Sequence, residues 1–85
     1  MRKLTGADIN NLIGTTNAGY TIERARVKGG KYSDSDHYGI VLARSENEKL
    51  FVTWQFHLDN EMPSYYWGHF IADADKAIAD YESRE

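Results

Sequence analysis

From Leu50 to Leu58 the chain alternates. Leu50, Val52, Trp54, Phe56 and Leu58 fall on every second residue, and Phe51, Thr53, Gln55 and His57 fall between them. Successive side chains of a strand point to opposite faces, so the first five share one face. Such alternation, with β-branched and aromatic types, predicts a strand over 50–58. Burying each large apolar side chain of that row contributes roughly 2–3 kcal/mol, which makes the row the expected centre of the core. Residues 59–64, DNEMPS, are polar and contain the only proline, and read as a loop. Residues 65–71, YYWGHFI, read as a second strand with bulk on both faces, in which Gly68 predicts a bulge or a closely packed neighbour. Residues 50–71 are thus expected to form an antiparallel hairpin, its row led by Leu50 and Trp54 lying under helices.

The pattern changes toward both ends. Thr5 stands at an N-cap position, Asp8 takes the place of a capping-box acid, and Leu4 and Ile9 occupy staple positions. Ile9, Leu12 and Ile13 form a stripe at helical spacing, and Gly14 is a suitable stop. Residues 20–27, YTIERARV, predict a strand whose parity slips: Tyr20 and Ile22 share one face, Ala25 and Val27 the opposite one. A bulge near Glu23–Arg24 reconciles the two halves. Residues 28–36 read as a polar connection, 37–44 as an apolar and therefore central strand, and 45–49 as a hairpin connection. Asp73 caps a last helix with Ala74, Ala77, Ile78 and Tyr81 on its apolar face. The expected fold class is α+β: a four-stranded antiparallel meander sheet flanked by an N-terminal and a C-terminal helix (α-β-β-β-β-α), with both helices on one face.

At 85 residues the chain is expected to be one domain with a small, aromatic-rich core. It has no cysteine, which excludes disulfides and thiolate chemistry. No apolar run reaches the ~18–20 residues of a membrane span. A cytoplasmic protein with no membrane partner is expected. The net charge of −3 is unevenly spread: residues 1–31 hold six basic and two acidic residues, and residues 32–85 hold four basic and eleven acidic. That balance argues against nucleic acid as a partner and fits a protein partner.

Four groups are candidates for chemistry. Asp34, Asp36 and His37 combine carboxylates with an imidazole, but lack the ligand spacing of known metal loops, so no metal and no cofactor is expected. His57 and His69 with Asp59 have the types needed for acid–base work, against an ordinary packing role. No serine, threonine or cysteine stands in a nucleophile motif, and no enzyme is expected. Arg24, Arg26, Lys28 and Lys31 can hold a phosphate or an acidic protein surface, or simply guard an edge strand against aggregation. The aromatic surplus of Phe51, Tyr65, Tyr66, Trp67 and Phe70 either fills the core or marks a partner surface. Arg24, Arg26, Lys28, Tyr66, Trp67 and His69 are the expected binding residues.

The runs VTWQFH at 52–57, YYWGHF at 65–70 and AIADYESR at 77–84 also form a pattern. It resembles small uncharacterised proteins and domains of phages and conjugative elements of Gram-positive bacteria. The resemblance covers about residues 38–84 and implies a mobile-element origin and a bacterial host cell. It carries over no activity and no functional residue. The expected function is a non-catalytic binding protein that blocks a host protein, as anti-defence inhibitors do. The alternative is a nucleotide or small-ligand binder using Arg24, Arg26 and the strand aromatics. A homodimer through the edge strand 20–27 or through an aromatic face is a further expectation.

Overall fold

The computed structural model describes residues 2–28, 35–47 and 49–84. Its elements are helix α1 (Gly6–Leu12), strands β1 (Thr16–Asn17), β2 (Tyr20–Val27), β3 (Gly39–Ser45), β4 (Phe51–Asp59) and β5 (Met62–Ile71), and helix α2 (Ala74–Ser83). A single 3₁₀ turn covers Ser35–His37. The class is α+β, with one antiparallel sheet in the order β1-β2-β3-β4-β5. The sheet has five strands rather than four. β1 has only two residues, too few to show an alternation, and it turns into β2 through Ala18 and Gly19, both at positive φ.

α1 starts as its sequence predicts. The Asp8 N–H donates to Thr5 Oγ1 at 3.2 Å, and the Thr5 N–H donates to Asp8 Oδ2 at 2.8 Å. These bonds satisfy backbone donors that an uncapped helix start leaves open. Ile13 departs from its expected place: it lies past the last helical residue, with extended backbone, and is largely exposed. Gly14 follows at φ 89, a conformation open to glycine.

The β2 bulge falls where the parity slip requires it, between Ile22 and Arg24. His37 lies in the 3₁₀ turn, so β3 starts two residues later than expected, at Gly39. Gly39 is obligatory there, since an added Cβ would enter the Phe56 ring and lie 2.7 Å from the Arg26 carbonyl oxygen. Leu50 precedes β4 and is 43% exposed, so the buried row begins at Val52. The 59–64 loop shrinks to a two-residue turn, Asn60–Glu61, both residues left-handed as a hairpin turn matched to strand twist requires. Pro63 consequently lies inside β5, at the sheet edge, where a missing N–H is tolerated.

The helices do not share a face. Leu4 and Leu12 pack with Val41, Ala43 and the Val52–Leu58 row on one side of the sheet. Ala77 and Tyr81 of α2 pack with Ile40 and Leu42 on the other. β3, buried on both sides, is therefore apolar throughout its middle and central as expected. Thr53 and Gln55, on the α2 side of β4, are buried as well. Among the described residues no helix is long and apolar enough to cross a membrane.

Candidate functional site

Among the described residues β5 carries most of the exposed large apolar side chains. It pairs with β4 alone among the described residues, and its other edge carries no strand. Three large apolar side chains along it are exposed: Met62 69%, Trp67 68% and Phe70 61%.

A bulge shapes the middle of the strand. Gln55 pairs with Tyr66 and Thr53 with His69, so Trp67 and Gly68 together face the single residue Trp54. Trp67 takes φ 54, in the left-handed region that side chains rarely adopt. Gly68 backs onto the Trp54 indole so closely that an added Cβ would lie 2.7 Å from its Nε1. The indole therefore demands glycine at 68, as the sequence anticipates, and Trp67 absorbs the extra residue by turning outward. Its ring meets that of Tyr66 edge-on at 5.0 Å. Phe70 leans on Tyr20 and Trp54 at 6.0 and 6.4 Å and keeps its outer surface open. Tyr65, half-buried against Trp54 and Phe56, anchors the strand to the core.

On the α2 side of the sheet a polar chain runs beside β5. Gln55 Nε2 donates to the Tyr66 hydroxyl oxygen at 3.3 Å. That hydroxyl lies 3.2 Å from His57 Nδ1, and His57 Nε2 lies 2.9 Å from Asp59 Oδ2. A neutral His57 protonated on Nε2 satisfies the whole chain, accepting from Tyr66 and donating to Asp59. The bond from His57 holds the Asp59 carboxyl below the usual range, and burial pushes the Tyr66 phenol up. Both nitrogens of His57 are thus engaged. His69 is opposite Thr53, four positions back along β4, or roughly 14 Å at a rise of ~3.4 Å per residue. The two histidines therefore form no joint centre.

His69 belongs to a second network that fastens α2. Its Nδ1 lies 3.0 Å from Asp80 Oδ2, which also accepts from the Thr53 hydroxyl at 2.5 Å. Arg84 Nη1 donates to the Thr53 carbonyl and hydroxyl oxygens at 2.9 and 3.0 Å. Burial pushes the Arg84 guanidinium down, against the neighbouring Asp80. Arg26 completes the fastening: Nη2 donates to the Tyr81 and Arg84 carbonyls, each at 2.6 Å, and the guanidinium sits 5.3 Å from the centre of the Tyr81 ring. It caps the C-terminal carbonyls that an α-helix leaves without partners.

The expected binding residues therefore separate. Tyr66, Trp67 and His69 come together on β5. Arg24 is exposed on β2, Arg26 is committed to α2, and Lys28 follows the end of β2, its N–H bonded to the Tyr38 carbonyl. With Arg26 spent on the carbonyls of α2, the arginines and the β5 aromatics do not form one ligand site. Lys31 and Asp34 lie outside the described residues. Asp36 approaches Lys3 at 3.9 Å, and no metal-ligand cluster occurs among the described residues. Phe51 is half-buried against the α2-side core.

Sequence reasoning missed Met62, which it placed in a loop, and the pairing of Thr53 with Asp80. The spacing of Asp80 on the outer side of α2's apolar stripe offered no sign that a buried threonine awaited it. A groove of about 300 Å³ also opens between α1 and the β4–β5 turn, lined by Asp8, Asn11, Thr15, Glu61 and Tyr65 among others. Arg2 bridges its rim, bonding Asp8 at 2.5 and 2.8 Å and Glu61 at 2.7 and 3.0 Å.

Charge divides the two sides of the sheet. β2 and the residue after it carry Arg24, Arg26 and Lys28, whereas no lysine or arginine occurs between Lys49 and Lys76. Asp59 and Glu61 precede β5, and Asp73 and Asp75 follow it. No protein-family model matches the chain, and neither a curated protein nor a solved structure does.

Proposed function

We propose that this chain is a small non-catalytic binding protein that docks on a partner protein through β5 and blocks it, in the manner of a mobile element's anti-defence inhibitor. One observation carries the reading: Trp67, 68% exposed, is held on a left-handed backbone at the bulge of an open edge strand. Folding alone gains little from a large indole in water at a conformation that costs about 1–3 kcal/mol. Tryptophans in such positions are frequent anchors of protein interfaces. Met62 and Phe70 extend the exposed apolar surface on either side.

The test is capture from a lysate of Gram-positive bacteria, the hosts the resemblance implies. Tagged wild-type protein is compared with the double variant Trp67→Ser, Phe70→Ser, whose fold is checked by circular dichroism. The expected result is a protein retained by the wild type and lost by the folded double variant. Equal retention, or none by either, overturns the reading.

A further inference from the structure

The backbone of β5 offers more than its side chains. In a two-residue antiparallel hairpin the residues flanking the turn exchange both backbone hydrogen bonds, and bonded pairs then recur at every second position. Asp59–Met62 flanks the Asn60–Glu61 turn, so His57–Ser64 and Gln55–Tyr66 follow as bonded pairs, and Thr53–His69 and Phe51–Ile71 continue the set past the bulge. The opposite parity of β4 faces β3, as the Ser45 N–H bond to the Leu50 carbonyl at 2.9 Å shows. Pro63, Tyr65 and Phe70 therefore turn their backbone groups outward. Pro63 has no N–H to offer, so on either side of the Trp67–Gly68 bulge Tyr65 and Phe70 are outward donors and all three are acceptors.

Natural sheets guard such edges with positive charge, shortness, proline or a bulge. Arg24 and Lys28 supply charge at β2, and β1 pairs part of its edge. β5 has a bulge and one proline, but ten residues and no positively charged side chain. Glu61 stands just before it, and Asp73 and Asp75 follow it. Glu61 shares Arg2 with Asp8, so even that trio keeps a net negative charge.

These features select the occupant. A second copy pairing β5 to β5 antiparallel places Glu61 of one chain beside Asp73 and Asp75 of the other, acid against acid. A copy offering its β2 edge instead brings an Arg26 already committed to the Tyr81 and Arg84 carbonyls, and head-to-tail pairing grows without closing. We propose that the open edge of β5 takes up an extended apolar segment of a different protein, bracketed by lysine or arginine, as an added strand of the sheet. This rests on the reading of β5 as the docking element and assigns its partner's chemistry.

The experiment uses the whole chain and three synthetic peptides of alternating valine and threonine: one with lysines at both ends, one with glutamates, and one lysine-flanked but N-methylated at alternate backbone positions. Hydrogen exchange of individual amides is followed by NMR. The Tyr65 and Phe70 amides are expected to exchange fast in the free protein and to become protected by the lysine-flanked peptide. The glutamate-flanked peptide is expected to bind about tenfold more weakly at low salt, and the N-methylated one not to protect. Failure of every peptide to protect Tyr65 and Phe70 overturns strand addition. So does their protection on concentrating the protein alone with a doubling of mass, which assigns the edge to a second copy. If those amides stay unprotected while Trp67→Ser, Phe70→Ser still abolishes capture, docking through β5 stands and strand addition alone is lost.

Discussion

The Thr53 hydroxyl donates to the Asp80 carboxylate at 2.5 Å, joining the middle of β4 to the last turns of α2. Thr53 is fully buried, and its oxygen also receives Arg84 at 3.0 Å. Thr53→Val keeps the shape and removes the hydroxyl, leaving two polar partners short of a bond. The expected loss is about 1–3 kcal/mol of unfolding free energy in urea. Amides of α2 should open before those of β3, since this network is a main tie of that helix to the sheet. An unchanged urea midpoint would mean that water replaces the hydroxyl without penalty.

Acid should loosen the same tie. Burial pushes the Asp80 carboxyl up, but hydrogen bonds from Thr53 and His69 together outweigh it and hold the group below its ordinary value. The unfolded chain then binds this proton at a higher pH than the folded one. The stabilisation is complete above the ordinary carboxylate value and fades as pH falls through the depressed one. Tm is expected to drop on acidification from about pH 5 to pH 3. Asp8, held low by Arg2, and Asp59, held low by His57, contribute to that decline as well. The informative quantity is therefore the Tm difference between wild type and Asp80→Asn, which should shrink as pH falls. A difference independent of pH would remove Asp80 from the acid response.

Much of this arrangement was legible in the residues. The alternation from Val52 to Leu58 located β4, and the parity change between Ile22 and Ala25 located the β2 bulge, because burial dictates period-two patterns directly. Thr53 and Gln55 are polar, and their alternation alone gives no sign that the α2 side of β4 is covered. They are buried because Asp80 and Tyr66 supply their hydrogen bonds from 27 and 11 residues away, a non-local fact. The simplest meander, with both helices on one face, left that side of β4 without a helix. The Asn60–Glu61 turn escaped because it lacks the glycine that usually marks its type. The aromatic surplus on β5 was visible in the sequence, whereas the left-handed backbone of Trp67 depends on how Trp54 fills the space beside Gly68.

Arg24 and Arg26 look equivalent in the sequence and differ in the structure. Arg26→Met removes the two 2.6 Å bonds to the carbonyls of Tyr81 and Arg84, with an expected loss of about 1–3 kcal/mol. Arg26→Lys should recover only part of it: one ammonium can reach both carbonyls, as the single Nη2 does, but it gives up the Nη1 bond to the Val27 carbonyl and the planar contact with the Tyr81 ring. Arg24→Ala, at an exposed position, should stay within about 0.5 kcal/mol of wild type. Urea melts of the three variants check the order. Equal effects at the two positions would contradict the capping role of Arg26.

Trp67 should show stability and binding pulling in opposite directions. Its φ of 54 suits glycine, and its ring lies mostly in water with one edge contact to Tyr66. Trp67→Gly relieves the backbone and gives up little packing, while Trp67→Ala gives up the same packing and keeps the strain. The glycine variant is therefore expected to be more stable than the alanine variant by about 1 kcal/mol, less whatever glycine adds to the freedom of the unfolded chain. Both should lose the captured partner, because neither retains the indole. Urea melts and capture assays on the same two proteins separate the terms. If alanine proves the more stable, the left-handed turn at the bulge is not what the folded chain adopts. If either variant still retains the partner, the indole is not the anchor and the docking surface must be sought elsewhere on β5.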